Sequence, residues 1–141
     1  MKKTLQEKLT SRKYHIPNCF LYFVLKKVVI DKVLAPKYNI HYQIIDDIND
    51  EKGPCFLIFN HQSRIDYVWN VQAAYPKRLN FVCGYNEFFR SHLKLILKIA
   101  NAIPKKNFVI DMASMRGIDS ITKQGGVVAF SPEGMSSISG H

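Results

Sequence analysis

The 141-residue sequence has little cysteine and no long apolar run, and each shortage excludes a class of protein. Its three cysteines are odd in number and lack the Cys-x-x-Cys spacing, so neither a disulfide framework nor a zinc site is indicated and a reducing compartment is expected. The longest uninterrupted apolar run, Cys19 to Leu25, has seven residues, whereas a membrane-spanning helix needs about twenty. The polar stretch from Thr4 to Lys13 also lacks the apolar core of a signal peptide. We therefore expect neither a secreted nor a membrane-spanning chain.

Acidic residues are also scarce, and the imbalance is concentrated near the N-terminus. The formal net charge is +9, and residues 1–37 carry nine basic and two acidic side chains, against eleven and nine in residues 38–141. Such an excess fits nucleic acid or an anionic membrane surface. Because aliphatic and aromatic residues separate the N-terminal bases and no nucleic-acid-binding module is recognised, we expect no nucleic-acid partner.

The stretch from Asn18 to Leu34 is mostly apolar but is interrupted by Lys26, Lys27, Asp31 and Lys32. On a helix Lys27, Asp31 and, more loosely, Lys32 gather on one side, a pattern typical of a helix that lies in a membrane interface. A helix packed on the domain core is the alternative, and the adjoining lysines favour the membrane. We predict a basic, amphipathic membrane-interface segment over residues 1–37, closed by Pro36, and an α/β domain over residues 38–141.

Strand-like and helix-like patterns alternate through that domain. Strands are predicted at Asn39 to Ile45, Cys55 to Phe59, Leu79 to Val82, Phe108 to Ile110 and Val127 to Phe130. Helices are predicted after Ser63, at Asn86 to Asn101 and at Met112 to Gln124. This alternation indicates an α/β sheet with helices packed on it. Glycine-rich phosphate loops and internal repeats are absent from the sequence.

The first stretch that carries chemistry is Asn60-His61-Gln62-Ser63-Arg64-Ile65-Asp66, directly after an apolar strand. His61 falls at the carboxyl end of that strand, where open α/β sheets bind their ligands. Asp66 lies about one helical turn further on, within reach of the imidazole. A histidine held by a carboxylate can take a proton from a hydroxyl near neutral pH. A chance pairing without a catalytic role is the alternative.

A second motif, Phe130-Ser131-Pro132-Glu133-Gly134, also follows a buried strand. The pair Asn-His-Gln-Ser-x-x-Asp and Phe-Ser-Pro-Glu-Gly, in this order and about seventy residues apart, resembles the lysophospholipid acyltransferase family. The type member of that family is the PlsC-type 1-acyl-sn-glycerol-3-phosphate acyltransferase. The resemblance extends over roughly residues 40–141.

The resemblance implies O-acyl transfer in phospholipid biosynthesis, from acyl-CoA or acyl carrier protein to a hydroxyl of a lysophospholipid such as 1-acyl-sn-glycerol-3-phosphate. It implies that His61 is the general base and that Asp66 orients it, with no covalent enzyme intermediate. It also implies that Glu133 and Gly134, together with Ser63, help to bind the acceptor. We expect no cofactor and no metal, because the acyl carrier is a co-substrate.

The sequence departs from the family at two positions expected to hold a phosphate. Met112 and Ser136 stand where arginines are common, so a phosphate-bearing acceptor needs another cation. Arg116 is the first candidate and Arg64 the second, and Lys105-Lys106 could also supply charge. An acceptor without a phosphate is the alternative.

The expected location is the cytoplasmic face of the membrane, as a peripheral or monotopic protein on anionic lipid. The family domain continues beyond the Glu-Gly motif, whereas this sequence stops at His141, so we expect a fragment. A catalytically idle membrane-binding module of the same fold is the competing hypothesis. The presence of His61, Asp66, Glu133 and Gly134 argues against it.

Overall fold

A computed structural model of the chain describes residues 5–39, 41, 43–46, 50–61, 63, 65–90 and 93–133. Within these residues the strands form one parallel sheet of four strands, in the order β1-β4-β2-β3. The strands are β1 (Cys55–Ile58), β2 (Leu79–Gly84), β3 (Ile103–Lys105) and β4 (Val127–Phe130). A parallel sheet needs crossover connections, and helices supply them here. The α/β class expected from the sequence is confirmed.

The helices account for most of the remaining regular structure. They are α1 (Leu5–Thr10), α2 (Cys19–Val24), a π-helix (Leu25–Leu34), α3 (Ala35–Tyr38), α4 (Asp66–Ala74), a 3₁₀ helix (Tyr85–Phe89), α5 (Lys94–Ile99) and α6 (Met112–Lys123). None of the helices in the described ranges is long and apolar enough to cross a membrane.

The strand register brings the ends of all four strands to one edge. Ile58 of β1 pairs with Phe130 of β4, and Gly84 of β2 pairs with Lys105 of β3. We call this the carboxyl edge, and it carries the turns that follow each strand. The turn with His61 and the turn with Glu133 therefore lie at the ends of two neighbouring strands.

Residues 19–38 form a continuous N-terminal helix made of α2, the π-helix and α3. Its inner face packs on the core through Tyr22 and Ile30, and the Tyr22 hydroxyl accepts a hydrogen bond from the backbone N–H of Leu79 at 3.1 Å. Pro36 does not close this helix as predicted. The helix continues past it to Tyr38 and ends at Asn39, whose φ of +48° is left-handed.

The segment before the N-terminal helix is also fixed to the core. The carbonyl oxygen of His15 accepts hydrogen bonds from the side-chain amides of Asn80 at 3.1 Å and Asn101 at 2.6 Å. The guanidinium of Arg78 donates to the carbonyl oxygen of Pro17 at 2.7 Å. This segment therefore supplies backbone acceptors to buried side-chain amides and is fixed to the core by them.

Two predicted strands are wrong. Residues 41 and 43–45 are irregular, while residues 40 and 42 lie outside the described part of the chain. The strand predicted at Phe108–Ile110 is wrong, and the strand that pairs with β2 is Ile103–Lys105. Pro104 has no N–H for the ladder, but it is tolerated there because β3 is an edge strand. The helix predicted at 86–101 is divided into the 3₁₀ helix and α5, with residues 91–92 undescribed.

Candidate active site

The central pair of the candidate site is His61 and Asp66. Nδ1 of His61 lies 2.9 Å from Oδ2 of Asp66, and the backbone N–H of Ser63 donates to the same oxygen at 3.0 Å. The side chain of Asp66 is 5% exposed and that of His61 is 30% exposed. The contact expected from the five-residue spacing is therefore present, with the carboxylate inside and the imidazole reachable.

Local structure explains why the pair forms. Helix α4 begins at Asp66, not directly after Ser63 as predicted, and Ile65 occupies its N-cap position without a side-chain cap. The carboxylate turns back toward the strand end, where it accepts the Ser63 N–H. A carboxylate at the start of a helix is also favoured by the helix dipole.

The arrangement fixes the chemistry available to the imidazole. In the neutral ring, Nδ1–H donates to the carboxylate, which leaves Nε2 as the proton acceptor. Nε2 has no hydrogen-bond partner among the described residues. The pair can therefore take a proton from a substrate hydroxyl, and the buried carboxylate stabilises the imidazolium that forms.

A cavity of about 590 Å³ opens at the same edge, over the ends of β2, β3 and β4. Its polar lining includes Lys105, Asn107, Ser131 and Glu133. Its volume lies within the usual range for small-molecule sites. His61 does not line this cavity, because it follows β1, on the other side of β4.

Neither described cysteine near the sheet is placed as a nucleophile. Cys55 starts β1, at the end of the strand opposite His61. Cys83 lines the cavity, but burial, with a smaller contribution from Glu87, raises the pKa of its thiol to about 12. A thiol with so high a pKa stays protonated near neutral pH and is a poor nucleophile. Direct transfer without a cysteinyl intermediate therefore fits the site.

The other residues selected from the sequence are distributed unevenly. Glu133 is exposed and lines the cavity, whereas Ser63 lies in the turn between His61 and Asp66. Arg116 is exposed on the outer face of α6 and is not part of the cavity wall. Arg64 and Gly134 lie outside the described residues. The catalytic and binding roles of all these residues stay predictions.

Sequence reasoning missed most of the cavity wall on the β3 side. From the sequence, Lys105 is only one of several candidate cations, and Phe108 is predicted in a strand although it lies in the loop after β3. The pattern Ile103-Pro104-Lys105 was the signal that could have identified Lys105 as part of the wall. A strand that ends in a cation at the carboxyl edge places that charge where ligands bind. The hydroxyl of Ser131 is buried there without a hydrogen-bond partner in the described structure.

No set of described His, Cys, Asp and Glu side chains is arranged to hold a metal ion.

Comparison with known families identifies the domain. The Acyltransferase family model matches residues 39–141, which include both motifs, the whole sheet and helices α4 to α6. Searches of the curated proteins and of the solved structures return no match. The matched residues are more than half of the chain, and they place the His61-Asp66 pair and Glu133 within one family domain. The chain belongs to the Acyltransferase family, the PlsC-type family, whose general activity is acyl transfer.

Proposed function

We propose that this protein transfers a fatty acyl group from acyl-CoA or acyl carrier protein to a hydroxyl of a lysophospholipid, as a step of phospholipid biosynthesis. The observation that carries the proposal is the 2.9 Å contact between His61 Nδ1 and the buried carboxylate of Asp66, in a chain of the Acyltransferase family. A positioned base is what a hydroxyl acceptor requires, since the neutral alcohol is a weak nucleophile.

The proposed reaction needs only these groups and the two substrates. Nε2 of His61 accepts the hydroxyl proton while the acceptor oxygen attacks the thioester carbonyl carbon. Asp66 balances the imidazolium as the tetrahedral intermediate forms. The carbon–sulfur bond then breaks, and the leaving thiolate takes the proton from His61. The products are an ester and a free thiol, and the imidazole returns to its neutral form.

The proposed acceptor is 1-acyl-sn-glycerol-3-phosphate. The cavity opens at the same carboxyl edge as His61, and among the described residues its wall has one cationic side chain, Lys105, and one carboxylate, Glu133. Lys105 supplies a positive charge for a phosphate, and Glu133 can accept hydrogen bonds from glycerol hydroxyls. A cation for the phosphate and a carboxylate for the hydroxyls support a phosphate-bearing acceptor, although Met112 and Ser136 replace the arginines common in the family.

The proposed location is the cytoplasmic face of an anionic membrane. The N-terminal helix leaves Phe20, Phe23 and Val33 exposed, at 71%, 45% and 56%. Exposed lysines Lys32 and Lys37 lie on the same helix. Apolar groups with lysines beside them are suited to insertion among lipid headgroups without spanning the bilayer.

The experiment that tests the function is release of free thiol from acyl-CoA, or from acyl carrier protein, by the full chain on lipid vesicles. The acceptor panel contains lysophosphatidate, other lysophospholipids and monoacylglycerol. We expect thiol release to depend on an acceptor hydroxyl and to be fastest with lysophosphatidate. The variant His61→Ala should lose about 10²–10⁴-fold in turnover, the range contributed by general-base catalysis.

Three results would count against the proposal. If none of the acceptors supports thiol release, acyl transfer is refuted and an idle membrane-binding module is favoured. A folded His61→Ala protein that keeps more than roughly a tenth of the turnover would refute the base mechanism, since that loss is far below the usual contribution of a general base. Faster turnover with monoacylglycerol than with lysophosphatidate would reassign the acceptor to a phosphate-free lipid.

A further inference from the structure

An exposed apolar surface adjoins the cavity, in the stretch predicted from the sequence as a short strand and in the start of α6. Phe108, Ile110, Val109, Met112 and Met115 are 93%, 86%, 53%, 56% and 55% exposed. We call these five residues the mouth patch. Neighbouring exposed apolar side chains of this size mark interaction sites on soluble domains more often than isolated ones do.

The loop that carries the mouth patch is held in place. The carboxylate of Asp111 accepts hydrogen bonds from the backbone N–H of Lys106 at 3.0 Å, of Ala113 at 3.1 Å and of Ser114 at 3.2 Å. These bonds close the loop between β3 and α6 on itself. Phe108 has a φ of +60°, a conformation that bulky residues rarely adopt. The exposure of the patch is thus part of a defined loop structure.

The mouth patch lies at the opening of the cavity. Phe108 belongs both to the patch and to the cavity wall, beside Lys105 and Asn107. The loop follows β3 at the carboxyl edge, and α6 then runs back toward the opposite edge of the sheet. Whatever covers the patch therefore also lies at the entrance used by a ligand of the cavity.

The charges around the patch favour one kind of partner. Lys105, Lys106 and Arg116 are exposed next to the apolar side chains, and Asp111 is engaged by backbone N–H groups. Apolar side chains flanked by cations complement an anionic lipid surface, where each cation adds attraction to the insertion of apolar groups. A second copy of this chain fits less well, because a two-fold contact would bring the like charges of both patches together.

We propose that the mouth patch inserts into the headgroup region of an anionic membrane and so places the cavity opening at the lipid surface. The significance of this contact rests on the proposed function. With the cavity opening at the lipid surface, a lipid acceptor enters the cavity from the leaflet without passing through water. The contact is separate from the N-terminal helix, which carries its own exposed apolar face.

The test uses tryptophan as a depth probe in the full chain, without acyl donor or lysolipid. Trp69→Phe provides a background without tryptophan, and Phe108→Trp or the matched control Lys123→Trp is added to it. Lys123 is exposed at the far end of the same helix α6. On vesicles of phosphatidylcholine and phosphatidylglycerol that contain lipid with brominated acyl chains, we expect quenching at position 108 and none at position 123. Vesicle-bound protein with equal quenching at both positions, or none at 108, overturns the proposal.

A second measurement uses charge substitutions and keeps the native tryptophan. Phe108→Asp with Ile110→Asp should lower affinity for the anionic vesicles by about tenfold or more, whereas Leu95→Asp, at an exposed apolar position on α5, should not. Sedimentation velocity without lipid tests the competing occupant. A wild-type dimer that the Asp pair converts to a monomer would assign the patch to a second copy and overturn the proposal.

The two proposals fail separately. Insertion of the patch without thiol release refutes the acyl-transfer proposal alone. Thiol release by a protein whose position 108 stays unquenched on the membrane refutes the mouth-patch proposal alone.

Discussion

At the scale of single residues, the candidate chemistry depends on a buried negative charge next to an accessible ring. Asp66 is 4% exposed, and one of its oxygens receives both the Ser63 N–H and the His61 imidazole. A buried carboxylate is costly unless its hydrogen bonds are satisfied, and here the donors include the group that it orients. The charge of Asp66, and not only its shape, should therefore matter for turnover.

The first prediction separates charge from shape. Asp66→Asn keeps the size of the side chain but removes the charge that stabilises the imidazolium, so we expect a loss of roughly tenfold or more in turnover and an altered pH–rate profile. The measurement is thiol release across pH, with circular dichroism to verify folding. Asp119→Asn, at an exposed position on α6, is the control and should leave both unchanged. An unaltered profile in Asp66→Asn would mean that Asp66 is only a helix residue.

The second prediction concerns the cation that meets the acceptor phosphate. Lys105 lines the cavity and Arg116 does not, so Lys105→Ala should raise the Michaelis constant for lysophosphatidate by about tenfold, equivalent to about 1.4 kcal/mol. The constant for the acyl donor should change little in this variant. Arg116→Ala should have the smaller effect.

The opposite order of these two effects would restore Arg116 as the phosphate ligand, as the sequence suggested. Arg64→Ala completes the set, and an unchanged constant in all three variants would assign the phosphate to other residues. Each Michaelis constant is measured with the acyl donor saturating, so that the donor site does not contribute to the comparison.

The contact between His61 and Asp66 could be predicted from residue spacing because the information was local. A sequence separation of five residues, at a strand-to-helix turn, brings His61 and Asp66 together almost independently of the rest of the fold. The cavity wall was different. Lys105 ends β3 and Glu133 follows β4, and these two strands lie on either side of β2 in the sheet. A single sequence does not reveal this strand order.

At the scale of elements, the β3 region shows how local pattern and long-range pairing compete. Phe108–Ile110 has the stronger strand propensity, yet the pairing with Val82 to Gly84 of β2 is made by Ile103–Lys105. Ser114 of α6 donates to the carbonyl oxygen of Pro104 at 2.5 Å, which ties the true strand to the helix that follows. The helix predicted at Met112 to Gln124, stopped by the two glycines after it, is confirmed as α6.

The third prediction is for the N-cap of α6. Asp111→Ala removes the acceptor of the Ala113 and Ser114 N–H groups and should lower the free energy of unfolding by about 1 kcal/mol. Denaturant titration measures it. Asp119→Ala is the matched control on the same helix, where an exposed pair with Lys123 contributes little. Equal losses in both variants would show that the cap bonds do not stabilise the helix.

The same variant has a defined pH dependence. Burial acts to raise the pKa of Asp111, but the hydrogen bonds from Lys106, Ser114 and Ala113 outweigh it and leave the pKa below its ordinary value. A carboxyl with a lowered folded-state pKa adds stability above its unfolded pKa and loses it as the pH falls through the folded value. The stability difference between the native protein and Asp111→Ala should therefore be full at neutral pH and shrink in acid.

At the scale of the whole molecule, the N-terminal helix has one side packed on the core and one side exposed. Its inner side belongs to the core, through Tyr22, Leu25 and Ile30. The contact between Gln72 and Asp31, at 3.2 Å, joins the N-terminal helix to α4, which begins with the candidate catalytic carboxylate. Amphipathic periodicity alone did not separate core packing from membrane binding, because an apolar stripe that wraps most of a helix serves both.

The exposed side of the N-terminal helix then leads to the last prediction. Phe20, Phe23 and Val33 remain uncovered in the described structure, and the same helix carries the exposed Lys32 and Lys37. Each lysine near an anionic membrane contributes about 1 kcal/mol, so the full chain should bind phosphatidylglycerol-containing vesicles more strongly than neutral ones, and salt should weaken the binding.

Charge reversal with a matched control tests whether the position of the lysines matters or only the net charge. Lys32→Glu with Lys37→Glu should weaken binding to anionic vesicles by more than about tenfold in a sedimentation assay, since two attractions of about 1 kcal/mol become repulsions. Lys94→Glu with Lys98→Glu changes two exposed lysines of α5 and alters the net charge by the same amount. If both double variants weaken binding equally, the attraction depends on overall charge and the N-terminal helix is not the anchor. Equal binding of the unmodified chain to neutral and anionic vesicles would remove the electrostatic part of the model altogether.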